Sequence, residues 1–92
     1  MLDCISAEFD VQDKKLNAAY ARALAALPAR QKVSLRTAQR TWITYRDQWC
    51  GITYDNEGGS LKRIAASQCG LRETVQQRLR LEDLAMTAEA EQ

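Results

Sequence analysis

The chain has 92 residues, which is the size of one small domain. Its composition of 46% hydrophobic and 27% charged residues excludes intrinsic disorder, and no run approaches the roughly 18 apolar residues that a membrane-spanning helix needs. Thirteen basic and twelve acidic side chains leave a formal charge of +1, so the chain as a whole has no strong attraction to nucleic acid or membrane surfaces.

The sequence favours helices throughout, because good helix formers dominate it and no segment alternates apolar and polar residues as a half-buried strand does. Pro28 ends the first helix and suits the first position of the second. The segment 51–60, with Gly58–Gly59 and a possible N-cap at Ser60, is predicted to be the second connection. We therefore predict a single domain over 1–92 with helices at about 3–27, 29–52 and 60–87.

Each predicted helix has apolar residues spaced three and four positions apart, which places them on one face. These residues are Ile5, Phe9, Leu16, Tyr20, Ala23 and Leu27, then Leu35, Ala38, Trp42, Tyr45 and Trp49, then Ile64, Leu71, Val75, Leu79 and Met86. Three such helices with short connections should pack as an antiparallel all-α bundle, with these faces in its core. Gly70 costs roughly 1 kcal/mol relative to Ala inside a helix, so the third helix can be kinked or split there.

Asp13 interrupts the apolar face of the first helix, and a buried carboxylate needs a partner. Asp13 and Arg46 lie at nearly equal separations from the Pro28–Ala29 turn, which makes them level in an antiparallel hairpin. The planar guanidinium of Arg46 suits a bidentate contact with a carboxylate. We therefore predict a structural ion pair between Asp13 and Arg46, with a role of the two residues in binding as the alternative.

The chain has three cysteines and no histidine. Because a zinc site needs four nitrogen or sulfur ligands and a catalytic thiol needs an activating base, we expect no metal, no cofactor and no catalytic residue. Cys50 and Cys69 flank the second connection, so we favour a disulfide between them, which leaves Cys4 unpaired. A Cys4–Cys50 bridge is the alternative, since the first helix begins where the second ends.

Residues 38–50 read Ala-Gln-Arg-Thr-Trp-Ile-Thr-Tyr-Arg-Asp-Gln-Trp-Cys. This segment resembles the central motif of a secreted bacterial domain family that includes the LprI-type lysozyme inhibitors. The residues that carry the resemblance are Gln39, Trp42, Tyr45, Arg46, Asp47 and Cys50. Weaker similarity at Cys4, Asp13 and Tyr20 on one side, and at Gly58–Gly59, Cys69 and Thr74 on the other, extends the resemblance over nearly the whole chain.

The resemblance implies an exported helical domain, periplasmic or secreted, that acts by binding another protein, and a c-type lysozyme is one candidate. Family members often have a further cysteine about a dozen residues before the position of Cys4. We therefore expect that the natural chain continues before Met1, with its signal sequence, and that Cys4 has lost its partner. An arginine that follows the family's last cysteine is displaced here, with Gln77 and Arg78 near its place.

The cleft of lysozyme contains two catalytic carboxylates, so an inhibitor could place a basic or hydrogen-bonding group between them. The candidate groups lie in the predicted loop 51–60 and just after it, and are Tyr54, Lys62 and Arg63, while Asp55 could contact the surface of a cationic enzyme. One alternative is an intracellular helical interaction module with reduced thiols and another partner. A second is weak nucleic-acid binding through the basic face of the second helix, formed by Lys32, Arg36 and Arg40, although such a face is usually only solvated.

Overall fold

The structure, a computed structural model, describes residues 2–56 and 59–92, with side chains described over 3–52 and 63–92. Three helices account for nearly all of these residues: α1 (Leu2–Ala26), α2 (Ala29–Asn56) and α3 (Gly59–Ala90). No strand occurs in the described parts of the chain. The all-α prediction is confirmed. The first connection falls at Pro28 as expected, and the carbonyl of Pro28 accepts a hydrogen bond from the amide of Lys32 at 3.0 Å.

The predicted loop 51–60 is wrong in most of its length. Helix α2 continues through Asn56 and α3 already begins at Gly59, which leaves Glu57 and Gly58 outside the described residues. Gly51 is helical, and the roughly 1 kcal/mol that one glycine costs in a helix is too small to end it. Helix α3 likewise runs through Gly70 without a break, so the predicted split does not occur.

Helix α3 is the central element of the bundle. It packs along α1 and, less extensively, along α2, whereas α1 and α2 make few direct contacts. Helices α1 and α3 are parallel, since Gln12 meets Arg78 and Arg22 meets Glu89, and α2 runs antiparallel to both. The result is a long, thin molecule of 50 × 22 × 13 Å, with a gap between α1 and α2 above α3.

The main apolar core lies between α1 and α3 and extends to α2. Its buried members are Leu16, Ala19, Ala23, Leu27, Leu35, Trp42, Leu81, Ala85 and Ala88. Alanines are frequent among them, and their small side chains allow α1 and α3 to approach closely. The predicted faces of α1 and of the first half of α2 therefore contribute to the core, through Leu16, Ala23, Leu27, Leu35 and Trp42.

The predicted core face is wrong for the second half of α2 and partly wrong for α3, where Ile64, Leu71 and Val75 are half-buried. Tyr45 and Trp49 are 48% and 52% exposed, and Leu79 and Met86 are exposed as well. Helix α3 has apolar residues on two faces, and Leu81, Ala85 and Ala88 are buried, whereas Leu79 and Met86 are exposed. Periodicity detects both faces but cannot tell which one fits the neighbouring helices.

Candidate functional site

The motif residues of α2 lie at the end of the bundle formed by the start of α1, the end of α2 and the start of α3, which we call the disulfide end. Gln39, Trp42 and Cys50 are buried, and Arg46 is half-buried, because they follow one another at intervals of three or four along the inward face. Tyr45 and Asp47 belong to the same motif but are exposed. The motif thus supplies both inward and outward side chains.

A pair of buried glutamines links α2 to α3. The Nε2 of Gln77 donates a hydrogen bond to the Oε1 of Gln39 at 2.9 Å, and Arg80 donates to the Oε1 of Gln77 at 3.2 Å. Buried polar groups are tolerated when they are hydrogen-bonded in this way. Gln39 belongs to the sequence motif, whereas the burial of Gln77 cannot be detected from a purely apolar pattern.

The guanidinium of Arg46 is held between two aromatic rings. Its central carbon lies 5.0 Å from the ring centroid of Trp42 and 5.8 Å from that of Phe9, so the cation contacts both α2 and α1. The Nε of Arg46 donates a hydrogen bond to the Oδ1 of Asp47 at 3.2 Å. The Arg46 side chain is 18% exposed, while that of Asp47 is 66% exposed.

The predicted ion pair between Asp13 and Arg46 is not formed. The ion pairs of the described residues are Arg46–Asp47, Arg22–Glu89 and Arg78–Glu82. The prediction treated α1 and α2 as a packed hairpin, but α1 packs on α3 instead. Gln12, the neighbour of Asp13, accordingly accepts a hydrogen bond from the Nε of Arg78 at 2.7 Å, while Asp13 is half-buried.

The disulfide joins Cys50 of α2 to Cys69 of α3, with a Cα–Cα distance of 5.6 Å. This is the pairing that the sequence analysis favoured, and the Cys4–Cys50 alternative does not occur. Cys4 is exposed and has a free thiol. The disulfide fixes α2 against α3 at the end of the bundle where α2 has the fewest apolar core residues.

A cavity of about 500 Å³ opens between the three helices at the disulfide end. Its walls are formed by the start of α1, the motif region of α2 and the first turns of α3, namely Ile5, Ser6, Phe9, Arg46, Asp47, Cys50, Gly51, Ala66, Ser67 and Gly70. The cavity exists because α1 and α2 do not close over α3. It is therefore a direct consequence of the central position of α3.

A second feature of the disulfide end is an apolar stripe on the outward face of α2. The rings of Tyr45 and Trp49 are stacked, with centroids 6.4 Å apart and an interplanar angle of 9°. Ile52 continues the stripe one turn further and is also exposed. Three large exposed apolar side chains on successive turns of one helix form a surface suited to contact with another molecule.

The remaining predicted binding residues lie at helix ends rather than in a loop. Tyr54 and Asp55 belong to the last turns of α2, and Lys62 and Arg63 to the first turns of α3. Arg63 is exposed, whereas the side chains of the other three lie outside the described residues. In the predicted basic face of α2, Arg36 and Arg40 are exposed and Lys32 is half-buried.

Neither a metal centre nor a membrane-spanning segment is present in the parts of the chain that the structure describes. No three residues among His, Cys, Asp and Glu come together there in a group that could hold a metal ion. None of the helices, over the same residues, is long and apolar enough to cross a membrane.

These features define a small, disulfide-linked, all-helical domain with an open cavity and an exposed aromatic stripe. Residues 1–81 match the family described as "Lysozyme inhibitor LprI", and the chain belongs to this family. An uncharacterized protein of Rhizobium meliloti (strain 1021) is 29% identical over an alignment of 100 positions, which covers 94% of this chain and 72% of the relative. No solved structure matches the chain. The family resemblance seen in the sequence is thereby confirmed.

Proposed function

We propose that this protein is an exported, non-catalytic binding domain that inhibits a lysozyme by direct contact. The observation that carries the proposal is the match of residues 1–81 to the lysozyme-inhibitor family. The Cys50–Cys69 disulfide supports the location, because disulfides persist in oxidising compartments such as the periplasm and the extracellular space. Lysozyme acts in the same compartments.

The surface that we assign to lysozyme is the outward side of the disulfide end. It comprises the stacked Tyr45 and Trp49, together with Ile52. Tyrosine and tryptophan are the residues that most often dominate the energy of protein interfaces, and stacking fixes these two rings before a partner arrives. The predicted contact residues Tyr54, Asp55, Lys62 and Arg63 belong to the adjoining helix ends, and we include them in the proposed interface.

To inhibit lysozyme through this surface, the protein needs only to cover the catalytic cleft of the enzyme. A basic group such as Arg63, brought near the two carboxylates of the cleft, would form charge-assisted hydrogen bonds with them. The aromatic stripe would supply the desolvated centre of the interface, and the helix ends its polar rim. No proton transfer or covalent chemistry by this protein is needed.

The test is a c-type lysozyme activity assay on bacterial cell walls with the oxidised protein. We expect inhibition by the wild type, and a loss of at least about tenfold in inhibitory potency for a Tyr45→Ala, Trp49→Ala double variant. Val33→Ala is the control, since Val33 is also an exposed apolar residue of α2 but lies near its other end. A second variant, Tyr54→Ala with Lys62→Ala, tests the helix ends.

Two results would contradict the proposal in different ways. Absence of inhibition by the folded, oxidised wild type would refute the assignment of lysozyme as the target. Inhibition that both double variants retain would refute the location of the interface and would direct attention to another face. Circular dichroism of each variant ensures that a loss of potency is not a loss of fold.

A further inference from the structure

The cavity at the disulfide end has an incompletely bonded cation in its wall. Arginine has five N–H donors, and among the described residues only the Nε–H of Arg46 donates to a protein acceptor, the carboxylate of Asp47. The four N–H groups on the two terminal nitrogens have no such acceptor in that part of the chain. The Arg46 side chain is 18% exposed and lines the cavity, and its terminal nitrogens are not buried, so a ligand in the cavity can reach them.

The orientation of this guanidinium is fixed before any ligand binds. Trp42 lies on it from α2 at 5.0 Å and Phe9 from α1 at 5.8 Å, so the group has little rotational freedom to lose on binding. A fixed planar guanidinium with free terminal nitrogens presents two parallel N–H donors. This is the geometry that recognises a carboxylate by two hydrogen bonds.

The other residues of the cavity wall indicate which chemical group would accompany the carboxylate of a ligand. Ile5, Phe9 and Ala66 provide apolar walls, and Ser6 and Ser67 add two hydroxyl groups. A volume of about 500 Å³ lies within the usual range for small-molecule sites, roughly 300–1,000 Å³. The site therefore fits a compact apolar group with one carboxylate better than it fits a highly charged ion.

We infer that this cavity is a binding site for a carboxylate that has a compact apolar or aromatic substituent. The carboxylate accepts hydrogen bonds from the terminal nitrogens of Arg46, and the substituent packs between Phe9 and Ala66. Such a group has two sources, a free organic acid or the carboxyl terminus of a peptide. The inference does not depend on lysozyme inhibition, because Tyr45 and Trp49 do not line this cavity.

Asp47 provides an internal check on this assignment. Its carboxylate accepts from the Nε of Arg46 and offsets part of the positive charge that would attract a ligand, while its own exposure weakens that effect through solvent screening. Replacement by Asn removes the competing charge and keeps an oxygen acceptor. We expect Asp47→Asn to bind the carboxylate about threefold more tightly or better.

The experiment is a titration of the oxidised full chain with 3-phenylpropionate, followed by NMR and calorimetry, with 3-phenylpropionamide as the uncharged comparison. We expect the acid to shift the amide signals of residues 5–9 and 66–70, and to bind at least tenfold more tightly than the amide. Equal affinities for the acid and the amide would overturn the inference. N-acetyl-glycyl-phenylalanine distinguishes the sources, because tighter binding than phenylpropionate indicates a peptide terminus and weaker binding a free acid.

Three variants locate the binding. Arg46→Met keeps an apolar chain beside Trp42 but removes the charge, and is expected to weaken binding of the acid at least tenfold. Arg40→Met is the matched control, since Arg40 is an exposed arginine of α2 outside the cavity, and should bind as the wild type does. If Arg46→Met does not fold, Ala66→Leu fills the cavity without touching the charge and should also abolish binding. Unchanged affinity in Ala66→Leu would overturn the inference.

Discussion

The half of the bundle near Pro28 and the disulfide end are built differently. Near Pro28, α1 and α3 meet through small apolar residues, and Ala23 and Ala85 have no exposed surface at all. At the disulfide end, α2 is attached to its neighbours by a disulfide, a glutamine pair and an arginine between two rings. We call the first region the alanine half.

These two kinds of packing together explain how a 92-residue chain can keep an open cavity. A small domain has little apolar surface to bury, so an unfilled space has to be offset by other interactions. Close packing in the alanine half supplies stability through apolar contacts between α1 and α3. At the disulfide end, the disulfide, the glutamine pair and Arg46 hold the three helices around the open cavity. Both candidate binding surfaces are found at this end. The predictions below test this division.

The largest effect is expected in the alanine half. Leu81 is almost completely buried, so Leu81→Ala should lower the free energy of unfolding by about 2–5 kcal/mol, through lost burial and the cavity that remains. Leu79→Ala, on the exposed side of the same helix, should change it by less than about 1 kcal/mol. Urea unfolding followed by circular dichroism measures both. Equal losses in the two variants would mean that the inward face of α3 is misassigned.

Removal of the disulfide should have the next largest effect. Cys50 and Cys69 are 19 positions apart, and closing such a loop stabilises a domain by about 3 kcal/mol. We expect Cys50→Ala with Cys69→Ala to lose that amount and to speed amide hydrogen exchange at residues 39–52, while residues 16–26 stay protected. A uniform increase in exchange along the chain would contradict the division into two regions.

Thiol counting provides the control for the previous prediction. Under denaturing conditions the oxidised wild type should show one reactive thiol, that of Cys4, and three after reduction. The double variant should show one thiol in both states. Three thiols in the unreduced wild type would mean that the disulfide is absent in the protein as isolated and would favour a reducing compartment.

The glutamine pair should contribute less than the disulfide. Gln77→Met leaves the buried Oε1 of Gln39 without its donor, which we expect to cost about 1–3 kcal/mol in urea unfolding. Gln39→Met combined with Gln77→Met removes both polar groups and should recover most of the loss. A double variant that loses the sum of the two single losses would show that side-chain shape, rather than the hydrogen bond, is what matters here.

The smallest effect is expected at the Arg22–Glu89 ion pair, on the surface of the alanine half. Two hydrogen bonds from Arg22, at 2.7 and 2.8 Å, and its charge hold the pKa of Glu89 below the ordinary value of 4.5. Because the pKa of Glu89 is lower in the folded state, its ionised carboxylate stabilises the fold at pH values above 4.5. This contribution is lost as the pH falls through the pKa of the folded state. Both side chains are exposed, so the effect is small and screened by salt.

Glu89→Gln should therefore lower the melting temperature slightly at pH 7 and low salt, and the difference should vanish in high salt and in acid below the lowered pKa of Glu89. Glu91→Gln is the control, since Glu91 is an exposed neighbour outside the ion pairs of the described residues. Thermal melts at several pH values measure both variants. A difference that persists in acid would arise from something other than the ionised carboxylate.

Local chemistry in the sequence was sufficient to predict much of this protein. Pro28 predicted the first connection, because proline has no backbone amide donor for a helical hydrogen bond. Helix propensity predicted the all-α class, and the order of the cysteines favoured the Cys50–Cys69 bridge. The segment 38–50 indicated the family. Each of these predictions depends on the residues themselves or on short stretches of chain, and each is confirmed.

Only the tertiary structure decided which faces of the helices turn inward. The sequence predicted that Tyr45 and Trp49 are core residues and that Asp13 meets Arg46, because it took α1 and α2 for a packed hairpin. Once α3 lies between them, the inward positions of α2 fall to Gln39, which is hydrogen-bonded to Gln77 of α3, and to Arg46, which lies against aromatic rings of α1 and α2. Helical periodicity describes one helix at a time, whereas burial depends on which neighbour a face meets, and that is a property of the assembled bundle.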